Sequence, residues 1–177
     1  MEKDNQQIKQ IEELILNIKE IDPEYNFKNS YKDKIFYIKE LSQTLKKLKQ
    51  NNSISKNIDN IITKKINDII FIYLIAKDFP NKSLKNFIDD QKKKYPKKSV
   101  SLIISNDKSK LSLVLGVSND ITYQFDASKE IKNISTILGG KGGGGRIDMA
   151  QAGGSDISQL DKCLDYIENK LNNIKLD

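Results

Sequence analysis

Eight of the nine glycines in this chain lie between Gly139 and Gly154, in GGKGGGGRIDMAQAGG, and the same segment holds Arg146, the sole arginine among thirty basic residues. A backbone stripped of side chains lets a ligand come close, and clustered glycines allow successive N–H groups to point into one concavity that suits an anion. Lys141 offers a point charge there, and Arg146 a planar, five-donor fork that fits a phosphate in two-pronged fashion. Asp148 and Gln151 can accept from ribose hydroxyls or a base edge, and Asp148 can instead hold Arg146 in place. The nucleotide motifs in general use fit poorly. GxxxxGK[ST] is absent, and a loose GxGxxG can be found inside any glycine run. A flexible linker between two helices is the other way to use such a run, but linkers seldom lead straight into apolar alternation of the kind seen in DMAQAGG.

A second concentration of chemistry is electrostatic. Of the net charge of +6, residues 77–98 carry +5, with eight lysines against three acids, whereas residues 1–76 carry +2 and residues 99–177 carry −1. Lys92, Lys93, Lys94, Lys97 and Lys98, with Phe87 and Tyr95 nearby, form a patch of the kind that follows a phosphate backbone. The same stretch also reads as a solvated, lysine-rich helix end in a chain biased toward Lys, Asn and Ile.

Several function classes are excluded by what the chain lacks. With no histidine and a single cysteine, Cys163, it has neither a Ser-His or Cys-His nucleophile nor a zinc constellation, and its carboxylates show no ligand spacing. No metal and no cofactor is assigned. Cys163 cannot form an intrachain disulfide, so a reducing compartment is the simpler expectation. The longest apolar run, Ile69 to Ala76, is far short of the roughly 20 residues that span a bilayer, and no N-terminal signal pattern is present, so a soluble, cytoplasmic chain is expected.

The elements that must position these residues can be read from periodicity. Ile8, Ile11, Ile15 and Ile18 form a helical stripe closed by Pro23; Ser30 with Asp33 resembles a capping pair ahead of Ile35, Ile38, Leu41, Leu45 and Leu48, which end at an Asn51-Asn52 break. These predict a helical hairpin. A further helical segment is expected from Ile54 to about Lys64. IIFIYLIA, Ile69 to Ala76, is β-branched and aromatic and predicts a buried strand. A helix over Ser83 to Lys94, strands over Val100 to Ile104 and Leu111 to Val117 across an Asn106-Asp107 turn, a helix from Asp126 to Leu138 and a last helix from Asp156 to Leu176 complete the chain. The class is α+β, with a small sheet.

On these residues GGKGGGGRIDMAQAGG closely resembles the glycine signature of the DHHA1 domain family, in the form found near the C-terminus of alanyl-tRNA synthetases (the C-Ala region). The order strand, helix, two strands, helix, glycine loop, helix agrees with it. The resemblance implies an N-terminal helical subdomain over 1–64 and a DHHA1-like domain over 65–177, with a central sheet flanked by helices. It implies a non-catalytic module that binds the elbow of tRNA, tRNA-Ala being expected. Such a module supports alanylation and editing as a fragment or a free-standing partner of the synthetase's catalytic part, and can form a homodimer through the helical hairpin. By the same resemblance Lys141, Gly142, Gly143, Gly144, Arg146, Asp148 and Gln151 face the RNA. Four consecutive glycines where the family has three, and Ile147 where proline is usual, imply a longer and less rigid loop. Two other uses remain open: the DHHA1 half of a DHH-type phosphoesterase acting with a catalytic domain in trans, and a helical oligomerisation module.

Overall fold

The computed structural model describes residues 2–27, 33–108 and 110–175. They fall into two compact units, 1–55 and 56–177.

The first unit is a pair of helices; Lys34 at the start of the second meets Asp4 at the start of the first at 2.8 Å, so the two helices begin side by side and the expected hairpin is not formed. Helix α1 (Glu2–Ile21) buries Ile11 and Ile18 against Tyr37 and Leu41 of α2 (Lys34–Ile58), as the three- and four-residue spacing of the apolar positions requires. Asp33 caps the start of α2: its carboxylate accepts from the N–H groups of Ile35 at 3.0 Å and Phe36 at 3.1 Å. Ser30, the expected co-cap, lies outside the described residues. The break expected at Asn51-Asn52 is absent, and α2 runs through it. Asparagine is a weak helix former but not a breaker, and neither Gly nor Pro stands there.

The second unit is a six-stranded sheet between helices. Strands β1 (Ile62–Ile66), β2 (Ile69–Lys77), β3 (Ser99–Asp107), β4 (Lys110–Val117), β5 (Gly143–Arg146) and β6 (Met149–Gly154) lie in the order β1-β2-β3-β4-β6-β5. Among the described residues only β2 and β3 run parallel, joined over one face by α3 (Asn81–Lys94). That explains the unbroken apolar run of β2, which is covered on both sides. On the α3 face lie Ile72, Leu74, Ile103 and Val114 with Leu84, Phe87 and Ile88. On the other face Phe71, Leu102, Leu113 and Leu115 pack on α4 (Ala127–Ile137) and α5 (Leu160–Asn172).

The helix expected from Ile54 to Lys64 is corrected: α2 stops at Ile58, and Ile62 onward forms β1. The cause is local and tertiary together. Asn67 (φ 46°) and Asp68 (φ 64°) make a two-residue turn of the primed type, which pairs Ile66 with Ile69 and lays β1 along β2. The turn after β3 also falls later than expected, since β3 continues to Asp107, which pairs with Lys110.

Candidate nucleic-acid interface

The glycine run is held at both ends by α4. At its C-terminus, Leu138 gives way to Gly139 (φ 71°), and the Gly140 N–H reaches back to the Ser135 carbonyl at 2.7 Å, a left-handed stop that glycine makes without steric cost. The fully buried Ser135 hydroxyl lies 2.6 Å from the Gly153 carbonyl, to which it donates, and accepts from the Gly142 N–H at 3.2 Å. At the N-terminus of α4, whose Asp126 side chain accepts from the Ser128 N–H, the Ala127 N–H donates to the Ile147 carbonyl at 2.9 Å. The run therefore lies along α4 as an antiparallel edge strand, β5, closed onto β6 by the two-residue turn Ile147-Asp148.

This corrects two expectations. Gly143 to Arg146 form a strand, so no longer, looser loop and no single concavity of N–H groups results. Arg146 ends that strand, whereas Lys141 precedes it, beyond Gly142 (φ 103°). The expected alternation in DMAQAGG is realised as β6, with Ala150 on the core side and Gln151 exposed.

At the hairpin tip the two clusters seen in the sequence meet. Arg146 donates to Asp148 through Nε at 2.9 Å and a terminal nitrogen at 3.3 Å, and Lys92 Nζ from the end of α3 donates to the same carboxylate at 2.7 Å. The Arg146 guanidinium holds the Asp148 carboxyl down at about 2 against the opposing effect of burial, with Lys92 adding to the lowering. Of Asp148's alternative roles, the structure thus realises the one that holds Arg146. The Arg146 side chain is 74% exposed, whereas those of Lys92 and Asp148 are about one-fifth exposed. The carboxylate fixes one edge of the guanidinium, and the remaining donors face outward.

The other lysines of the patch behave differently. Lys93 pairs with Asp90 at 3.7 Å, Lys94 lies over the Tyr95 ring, Lys98 pairs with Asp68 at 3.3 Å, and Lys97 is exposed. The Lys98 N–H also meets Asp120, so the start of β3 and the turn after β4 are tied at the same end of the sheet as the Arg146 tip.

Beside the hairpin, on the α3 face, is an open cleft of about 360 Å³. Gly144, Arg146 and Gln151 form one side, Val114 and Met149 the floor, and Lys85 and Asp89 of α3 the far wall. Lys85 and Asp89 were not singled out in the sequence. One turn apart on a charged helix, they carry no local signal of function; only the packing of α3 over β4 puts them opposite glycines some 60 residues away. Gly142 and Lys141 lie at the far end, by the C-terminus of α4.

The family model described as "DHHA1 domain" matches residues 67–173. An alanine–tRNA ligase of Rickettsia bellii is 39% identical over 61% of this chain and 12% of its own length, and one of Nitrobacter winogradskyi is 36% identical over 73% and 15%. The chain thus spans less than one-sixth of the curated relatives it matches. Among solved structures, the C-Ala domain from Aquifex aeolicus alanyl-tRNA synthetase superposes with a TM-score of 0.60 and 28% identity over 63% of this chain and 99% of that one. A DHH-domain member of the s1p family of ribosomal proteins shares the fold over 95% of this chain and 42% of its own, with a TM-score of 0.52 and 18% identity. No helix among the described residues is long and apolar enough to cross a membrane.

Proposed function

The chain belongs to the DHHA1 domain family, and from that premise we propose that it is a non-catalytic, cytoplasmic tRNA-binding module of the alanine–tRNA ligase type. It recognises the tRNA elbow and supports alanylation and editing of tRNA-Ala together with the ligase's catalytic part. The observation that carries this reading is the likeness to the C-Ala domain along nearly the whole of that domain. The site geometry supports it. A guanidinium held by a carboxylate, with its free donors turned outward and lysines at the same end of the sheet, is an arrangement for gripping phosphate or a base edge of a folded RNA. Lys141, Gly142 and Gly143 extend the contact along β5, Gln151 meets the RNA from the cleft, and Lys92 to Lys98 add a phosphate-following surface.

Chemical footprinting of tRNA-Ala tests this. Protection confined to the two loops that meet at the elbow is expected; protection spread evenly over the helical arms would contradict it. The phosphoesterase alternative predicts metal-dependent cleavage of short oligonucleotides by the isolated chain, and no cleavage is expected.

A second role is favoured by one observation in the helical unit. Leu16, Ile35 and Phe36 are 63–68% exposed on two helices whose Ile11, Ile18, Tyr37 and Leu41 are buried together. We infer a homodimer through this apolar surface, compatible with RNA binding by the other unit.

A further inference from the structure

The glycines of the run are bare for different reasons. Gly139, Gly142 and Gly145 have φ of 71°, 103° and 155°, which side chains rarely adopt. Gly140 and Gly143 have no room: a Cβ would come within 2.1 Å of the Gly153 carbonyl oxygen and 2.4 Å of the Gln151 carbonyl oxygen, respectively. Gly144 is under neither constraint, and nothing lies within 4 Å of where its Cβ would stand. An unforced glycine in a strand carries an entropic cost and forfeits packing. Its open side faces the cleft, opposite Lys85 and Asp89.

The charge of that cleft narrows what it takes. Asp89 is close enough to help raise the Arg146 pKa, after Asp148, and it would repel a phosphate lodged deep between the walls. An apolar floor at Val114 and Met149, with Gln151, Lys85 and Asp89 around it, suits the uncharged side of a nucleotide, whose sugar hydroxyls and base edge need donors and acceptors in equal measure. We propose that Gly144 is a steric gate, left without a side chain so that one nucleoside of the bound RNA lies against the hairpin backbone inside this cleft. Gln151 and Asp89 meet its polar edges, and Arg146 takes the adjoining phosphate at the tip. This rests on the RNA-binding reading above.

The test is a set of variants of the whole 177-residue chain, Gly144→Ala, Gly144→Val and, as a control, Gly143→Ala. Each is measured for thermal midpoint and for affinity toward folded tRNA-Ala at several salt concentrations. Gly144→Ala and Gly144→Val are expected to keep the wild-type midpoint and lose affinity roughly five- to a hundred-fold, valine more than alanine. Their salt dependence should stay that of wild type, because no cation is removed. Gly143→Ala is expected to lower the midpoint. Wild-type affinity in Gly144→Val overturns the proposal, as does a loss of affinity accompanied by a fall in midpoint like that of Gly143→Ala. A wild-type chain that fails to bind tRNA overturns the RNA-binding reading itself, and the occupant of the cleft with it.

Discussion

At the residue scale the site is a balance of two cations on one carboxylate. Asp148 lies well below its unfolded value of 3.8, at about 2, so its contribution to stability is complete above about pH 4 and is lost as pH falls through the folded value. Discounted for the exposure of Arg146, that contribution is about 1–2 kcal/mol. Thermal midpoints of wild type and Asp148→Asn should therefore differ at pH 5 to 7 and converge toward pH 2; a constant gap would show that the ion pairs are not its cause. Cys163 presents the opposite case. Burial alone pushes its thiol up to about 12, so it should resist thiol reagents in the native protein and react only on unfolding. Much of this was legible in the sequence. Arg146 and Asp148 stand two residues apart and announce each other. Lys92 does not, because it is 56 residues away and is brought in only by α3 crossing the sheet.

At the scale of elements, the fold depends on a few positions where packing leaves no freedom. Gly116 in β4 lies under α3, and a Cβ there would stand 2.2 Å from Ile88 Cγ2. Gly116→Val is expected to lose about 1–3 kcal/mol or more in denaturant unfolding, as overpacked cores do. Asn67, in the β1–β2 turn, donates from Nδ2 to the carbonyls of Ile174 at 2.6 Å and Leu171 at 3.2 Å, and so fastens the end of α5 to the sheet. Asn67→Gly keeps the positive φ and removes these bonds. A loss of about 1 kcal/mol is expected, with faster amide exchange in the last turn of α5; unchanged exchange would mean that the clamp is idle. A second fastening links α4 to α5, where Tyr166 donates to Glu130 at 2.5 Å and Lys170 approaches the same carboxylate at 3.4 Å. Most helical residues and the two-sided strand β2 could be read from the apolar pattern, although the same pattern broke α2 at Asn51-Asn52 and carried a helix on to Lys64. β1 could not, because ITKKI has no strand signature until the Asn-Asp turn folds it onto β2. β5 could not either, because a glycine strand has no side chains to alternate.

At the scale of the whole molecule, a chain with 31% charged residues keeps a two-faced sheet core in one unit and a thin helical seam in the other. The family was legible in a sixteen-residue motif, whereas the partition of that motif into an end by α4, a strand and a charged tip needed the fold. If the apolar surface of the helical unit joins two copies, Leu16→Glu with Phe36→Glu should convert a dimer to a monomer in sedimentation without reducing the affinity of each chain for RNA. Lysine-to-alanine changes at Lys93, Lys94 and Lys97 should mainly flatten the salt dependence of binding. The most direct test of the central claim is a titration of the chain and of Arg146→Ala against tRNA-Ala, a second tRNA and a duplex RNA of similar length, at matched salt. Tight binding to both tRNAs, weaker binding to the duplex and a loss of about 1–3 kcal/mol in Arg146→Ala are predicted. Equal, weak binding to all three, indifferent to Arg146, would contradict it.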